Sequence, residues 1–117
     1  MAATVLIVDD HSPFRAVARR LLESEGYEIV GEAGSGTSAL EAAARLRPAL
    51  VLLDVQLPDL DGFAVTERLA AADDPPVVVL ISSRDRSAYQ RRLARSAARC
   101  FIAKSDLTAS AIAALVG

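Results

Sequence analysis

Three aspartates, a serine and the chain's lone lysine stand where short apolar runs stop. Val5-Leu6-Ile7-Val8 ends at Asp9-Asp10, the run from Ala49 to Leu53 ends at Asp54, Val77 to Ile81 ends at Ser82, and Cys100 to Ala103 ends at Lys104. If these ends meet, Asp9, Asp10 and Asp54 bring three carboxylates together, which raises carboxylate pKa values or demands a cation. Oxygen-only ligands select a hard ion that keeps some waters, favouring Mg2+ and admitting Mn2+. A carboxylate is also a nucleophile toward phosphorus, giving an acyl phosphate, and a divalent ion neutralises charge in that displacement. Ser82 and Lys104 can then hold phosphoryl oxygens, one by a hydrogen bond and the other as a point charge.

The elements that would position these groups are legible from the same runs. Short stretches rich in Val, Ile and Leu, separated by helical patterns, predict buried strands of a parallel sheet. In such sheets ligands bind beyond the carboxyl ends of the strands, which gathers the four run ends at one edge. Between the runs, Ser12 is a plausible N-cap with Pro13 at the first helical position, and Phe14, Val17, Ala18, Leu21 and Leu22 form a core-facing stripe that Gly26 stops. A second strand, roughly Glu28 to Ala33, mixes charged residues and glycine with apolar ones and belongs at an edge. Helices are expected from about Thr37 to Leu46, after Gly62 with Val65, Thr66, Leu69 and Ala70 on one side, from about Asp85 to Ala94 over Ala88, Tyr89 and Leu93, and from near Asp106 using Leu107, Ile112, Leu115 and Val116. Right-handed crossovers then put helices on both faces of a five-stranded sheet, giving an α/β fold.

Taken singly, each terminator has a plainer reading. Asp-Asp after a strand is common turn and capping chemistry, Ser82 could be an N-cap, and Lys104 could be a solvated strand-end charge. Joined by their position at strand ends, acid, acid, hydroxyl and base become one site.

The 117 residues allow one domain, residues 1–117, with a single core. With 52% hydrophobic and 24% charged residues, composition is that of an ordinary globular protein. No apolar run approaches the ~20 residues of a membrane span, and Met1-Ala2-Ala3-Thr4 runs into a strand without a basic leader, so a cytoplasmic location is expected. The single cysteine, Cys100, excludes an internal disulfide and reads as a small buried hydrophobe. Net charge is −2, yet Arg84, Arg86, Arg91, Arg92, Arg95 and Arg99 face only Asp85 within residues 84–99, leaving one basic patch on an otherwise acidic chain.

From Val5-Leu6-Ile7-Val8-Asp9-Asp10, through Asp54-Val55-Gln56-Leu57-Pro58-Asp59-Leu60-Asp61-Gly62, to Phe101-Ile102-Ala103-Lys104, the chain resembles the receiver domain of two-component response regulators. The resemblance implies a flavodoxin-like, doubly wound sheet of order 2-1-3-4-5 with five helices. It implies that Asp54 accepts a phosphoryl group from a sensor histidine kinase or a small phosphodonor. Asp10, Asp54 and the backbone carbonyl of Gln56 would ligate Mg2+, with Asp9 acting through a water. Ser82 and Lys104 would contact the phosphoryl group, and Phe101 would be the switch aromatic that turns inward, reshaping the face of the fourth helix, fifth strand and fifth helix. That face carries most of the arginines and is expected to bind a partner or a second copy of the chain. Such a domain catalyses only its own phosphorylation and dephosphorylation.

Some positions depart from the family pattern. Ala97 and Cys100 stand where many members carry glycines, Phe101 lacks the common tyrosine hydroxyl, and Ser105 replaces a frequent proline. Gln56 stands where an aspartyl-phosphate hydrolase of the haloacid dehalogenase type would want a second aspartate, and retention of all five site residues counts against a module that no longer uses phosphate. Gly31 to Ser38 resembles a phosphate-binding loop but has Thr37 where lysine is needed, so nucleotide hydrolysis is not expected. Ile81 to Asp85 and Phe101 to Ser105 look like receivers that precede a helix-turn-helix output domain. The residues present contain no recognition helix and no net positive charge, so no direct DNA binding is expected of them.

Overall fold

A computed structural model describes residues 3–116. Strands β1 (Thr4–Val8), β2 (Glu28–Ala33), β3 (Leu50–Asp54), β4 (Val77–Ser82) and β5 (Cys100–Ala103) form one parallel sheet in the order β2-β1-β3-β4-β5. Helices α1 (Ser12–Ser24), α2 (Gly36–Leu46), α3 (Gly62–Ala70), α4 (Gln90–Ala94) and α5 (Ala109–Ala113) connect and follow them. This is the doubly wound architecture and strand order that the resemblance implies.

Because both sheet faces are covered, the central strands are apolar at nearly every position. Leu6, Val8, Val51, Leu53 and Leu80 pack with Val65, Leu69 and Phe63 of α3, while Val5, Ile7, Leu52, Val79 and Ile81 pack with Ala18 and Leu22 of α1 and Ile112 of α5. Burying one such Leu or Ile contributes about 1.5–3 kcal/mol, so these strands are held rigidly beneath whatever their ends carry. Strand β2 lies at the edge, as expected, and its outward Glu32 is taken up by Arg15 and Arg19 of α1 at 2.9 and 2.8 Å. No helix among the described residues is long and apolar enough to cross a membrane.

Several local expectations are corrected. The N-cap of α1 is His11 and not Ser12, because the Asp9 carboxylate accepts the His11 N–H at 2.8 Å and turns the chain one residue earlier. Val17 is 53% exposed, so the buried stripe of α1 narrows to Ala18 and Leu22, flanked by half-buried Phe14 and Leu21. Gly26 does end the helix, at φ +89, with its N–H on Glu23 O and the Tyr27 N–H on Leu22 O. Ala70 is exposed, while Val65, Thr66 and Leu69 of α3 are buried as expected.

The fourth helix is shorter than its sequence pattern. Arg86–Tyr89 forms a 3-10 turn, and only Gln90–Ala94 is α-helical, because Tyr89 at φ −123, ψ 11 leaves the helical region to insert its ring into the core. Ala88, expected beneath the arginines, is exposed. The fifth helix does not start near Asp106: Lys104–Asp106 is a 3-10 turn, Leu107 is extended and buried, and Thr108 caps a helix that begins at Ala109 by accepting the Ala111 N–H. The Lys104–Ser105 bond is trans. The expectations for the Val116 side chain and Gly117 lie outside the described residues.

Candidate functional site

Strand register brings the run ends together. Val8 pairs with Leu53, Asp54 with Ile81, and Ser82 with Ala103, so Asp9, Asp54, Ser82 and Lys104 all emerge at the carboxyl edge of β1, β3, β4 and β5. Carboxylate oxygens of Asp9, Asp10 and Asp54 lie within 4.8 Å of one another; Asp9 and Asp54 are buried and Asp10 is exposed. Lys104 Nζ is 2.6 Å from Asp9 Oδ2 and 3.4 Å from Asp54 Oδ2, and it sits 4.5 Å above the centre of the Phe14 ring. The Asp9 contact is ionic and off-line for a hydrogen bond, so Asp9 Oδ2 accepts none although it is buried.

Electrostatics follow from this packing. Burial pushes the Asp54 carboxyl above its ordinary pKa, and the neighbouring Asp9 adds to the rise. The Gln56 N–H, which donates to Asp54 Oδ1 at 3.2 Å, and the Lys104 ammonium oppose it without cancelling it. Burial alone would lower the Lys104 pKa, but the contacts with Asp9 and Asp54 outweigh it and lift the ammonium above its usual value. Three carboxylates converging with only one lysine ammonium against Asp9 and Asp54 among the described residues form an all-oxygen donor set that fits a hard divalent cation.

The loop after β3 is fixed from three directions. The Gly62 N–H donates to Val55 O at 2.7 Å, and a Cβ on Gly62 would lie 2.5 Å from Asp54 O, so only glycine lets the chain pass this close to the strand end. Asp59 accepts from Gly36 N, Thr37 N and Thr37 Oγ1, which holds its pKa well below the carboxylate range. The N-terminus of α2, where the abortive phosphate-binding motif lies, is therefore occupied by the chain's own carboxylate. Asp61 caps α3 by accepting the Ala64 N–H, and its other oxygen binds Arg92 at 2.6 Å.

Arg92 in turn lies 4.3 Å over the Phe63 ring. The basic patch is thus divided: all six arginines are exposed, but Arg92 is committed to α3. Phe101 is buried, with its ring centroid 5.8 Å from that of Tyr89. Cys100 is half-buried, and burial raises its thiol pKa, in keeping with a packing role.

Sequence reasoning placed Tyr89 in an apolar stripe and missed its hydroxyl, which lies 3.2 Å from Ser82 Oγ. The available signal was a buried-type aromatic with a polar tip, alone in an Arg- and Ala-rich segment. A surface cleft of about 660 Å3 lies at the opposite edge of the sheet between Arg47, Arg68 and Pro75, and contains none of the clustered residues.

Comparison with known proteins agrees with this geometry. Residues 5–115 match the model of the response regulator receiver domain. The chain is 38% identical over 102 residues to the virulence-factor transcription regulator BvgA of Bordetella pertussis, covering 87% of this chain and 49% of that protein. It is 40% identical over 87 residues to the transcriptional regulatory protein PdtaR of Mycobacterium tuberculosis, covering 74% of this chain and 42% of that one. The chain thus spans about half the length of these curated relatives. Among solved structures, the signal receiver domain of the response regulator NarL from Mycobacterium tuberculosis superposes with a TM-score of 0.88 at 34% identity, over 98% of this chain and 93% of that one. This chain belongs to the response regulator receiver domain family of two-component signalling.

Proposed function

We propose that residues 1–117 form one phosphorylation-dependent switch in which Asp54 is the phosphoacceptor. The observation that carries this reading is the Lys104 ammonium in contact with both Asp9 and Asp54, beside carboxylate oxygens of Asp9, Asp10 and Asp54 that lie within 4.8 Å of one another. An Asp54 oxygen attacks the phosphorus of a phosphohistidine on a sensor histidine kinase, or of a small acyl phosphate. The P–N or P–O bond to the donor breaks, the leaving group takes the electron pair, and Asp54 becomes an acyl phosphate.

Asp10, Asp54 and the Gln56 carbonyl would hold Mg2+, with Asp9 acting through water, and the ion would supply charge neutralisation for carboxylates and phosphoryl oxygens alike. Lys104 pairs with one phosphoryl oxygen, and Ser82 donates a hydrogen bond to another. Beyond its own phosphorylation and dephosphorylation the domain turns over no substrate. Its readout is a change in the face of α4, β5 and α5, which docks an output domain, a partner or a second copy in the cytoplasm.

Because Arg92 is held by Asp61, Arg91 is the better probe of that face, and Arg91→Glu is expected to weaken self-association or output docking. The chemistry is tested by intact mass after incubation with Mg2+ and acetyl phosphate. Wild-type protein gains the mass of one phosphoryl group and Asp54→Asn gains none; a wild type that stays unmodified, or an Asp54→Asn protein that gains the group equally, rejects the reading.

A further inference from the structure

Ser82 is turned away from the carboxylates it is expected to serve. Side chains alternate along a strand, and Ser82 shares the face of Leu80, whose core contains Phe63, Tyr89 and Phe101. Asp54 shares the opposite face with Leu52. The Ser82 hydroxyl is fully buried: it accepts the Arg84 N–H at 3.1 Å, and its other partner is Tyr89 Oη at 3.2 Å. Tyr89 is 8% exposed, and its ring is flanked by Phe63 and Phe101 with centroids 5.8 Å away on each side.

We propose that Tyr89 is a positioning residue whose hydroxyl holds Ser82 in standby on the aromatic face, and that Ser82 exchanges this partner for a phosphoryl oxygen when Asp54 is modified. The proposal rests on the phosphoacceptor reading above. A phosphoryl oxygen only accepts, so Ser82 must donate its single proton to it. Reaching across the sheet edge breaks the tyrosine contact whichever hydroxyl donates in standby.

The exchange is favourable in direction. At 3.2 Å the hydroxyl pair is longer than the usual 2.7–2.8 Å for O–H···O, whereas a hydrogen bond to an anionic oxygen is shorter and stronger. Tyr89 is then left with a buried hydroxyl lacking its partner, a costly arrangement that displaces the ring from between Phe63 and Phe101. Phe101 belongs to β5 and Tyr89 leads into α4, so loss of one hydrogen bond at Ser82 moves the side chains beneath the face proposed for docking. A phenylalanine at position 101 can follow such a change sterically, with no hydroxyl of its own.

Beryllofluoride with Mg2+, a mimic of the bound phosphoryl group, tests this, with affinity read from the rise in melting temperature on titration. Tyr89→Phe keeps the ring and removes only the competing hydroxyl, so affinity is expected to rise about 3- to 10-fold, the range for one neutral hydrogen bond. In a Ser82→Ala background the same substitution is expected to change nothing, because the contact it removes is already gone.

Unchanged or weaker binding by Tyr89→Phe, or an equal change in both backgrounds, overturns the proposal and leaves the tyrosine as packing. Wild-type protein that binds no beryllofluoride overturns the phosphoacceptor reading and this inference with it. Normal wild-type binding beside an inert Tyr89→Phe removes the standby contact alone.

Discussion

Lys104 Nζ lies 2.6 Å from Asp9 Oδ2, an ion pair that ties the end of β5 to the end of β1 across the two strands between them. Lys104 is the only cation in ion-pair contact with the buried Asp9 and Asp54 among the described residues. Lys104→Met leaves a buried carboxylate unpaired and is expected to cost about 2–3 kcal/mol, less than a fully buried pair because the lysine retains some solvent contact. Mg2+ should recover more stability in this variant than in the wild type, since it binds the folded carboxylate cluster. Urea unfolding with and without Mg2+ measures both effects; a variant as stable as wild type in Mg2+-free buffer would show that the pair contributes nothing.

Asp54 gives a pH dependence of definite sign. Its folded pKa is raised above the unfolded value, so its contribution to stability is fully present below the unfolded pKa and is lost as pH rises through the folded one. At neutral pH the ionised carboxylate is therefore a local cost. Asp54→Asn removes it and is expected to gain on the order of 0.5–1 kcal/mol, about 2–6 °C in melting temperature. The gain should shrink as pH falls through the raised folded pKa and vanish below the unfolded value of about 3.9, where the wild-type carboxyl is protonated in both states. Melting curves across that window check it, and a gain that grows on acidification has the wrong sign.

Asp61 and Arg92 predict an asymmetric pair of substitutions. Arg92→Ala loses an exposed ion pair and a cation–π contact, together about 0.5–1 kcal/mol. Asp61→Ala loses the same pair and the cap of α3, so about 1–2 kcal/mol is expected. Their coupling in a double-mutant cycle measures the shared contact, and independent effects would place the arginine's stabilisation on the Phe63 ring.

Gly62 tests how tightly the loop supports the site. A methyl group there meets the Asp54 carbonyl and Val55 Cα at 2.5 and 2.8 Å, backbone atoms that cannot rotate away. Gly62→Ala is expected to cost about 1–3 kcal/mol and to weaken beryllofluoride binding by displacing the Asp54 end of β3. Denaturation midpoints and the same titration report both; unchanged binding would show that the carboxylate is positioned independently of the loop.

The strand ends were readable because parallel strands covered on both faces are continuous apolar runs, so Asp9, Asp54, Ser82 and Lys104 interrupt them visibly. Contacts made across the fold left no comparable mark. Asp59 binds the start of α2 from 22 and 23 residues away, Asp61 meets Arg92 31 residues on, and Tyr89 meets Ser82 only because its backbone leaves the helix. Helical periodicity placed Val17 and Ala88 inward, yet packing covers narrower stripes than the pattern spans. The short α4 and the late start of α5 were decided by a core aromatic and a threonine cap, each overriding a longer run of helix-forming residues.

Locating the modified residue tests the central claim most directly. After incubation with Mg2+ and acetyl phosphate, borohydride reduces an acyl phosphate to the alcohol, converting a phosphorylated aspartate to homoserine that peptide mass spectrometry can place. Homoserine at position 54, dependent on Mg2+, is the predicted result. Homoserine at Asp9 or Asp10 with Asp54 unmodified, or at no position, would contradict the account.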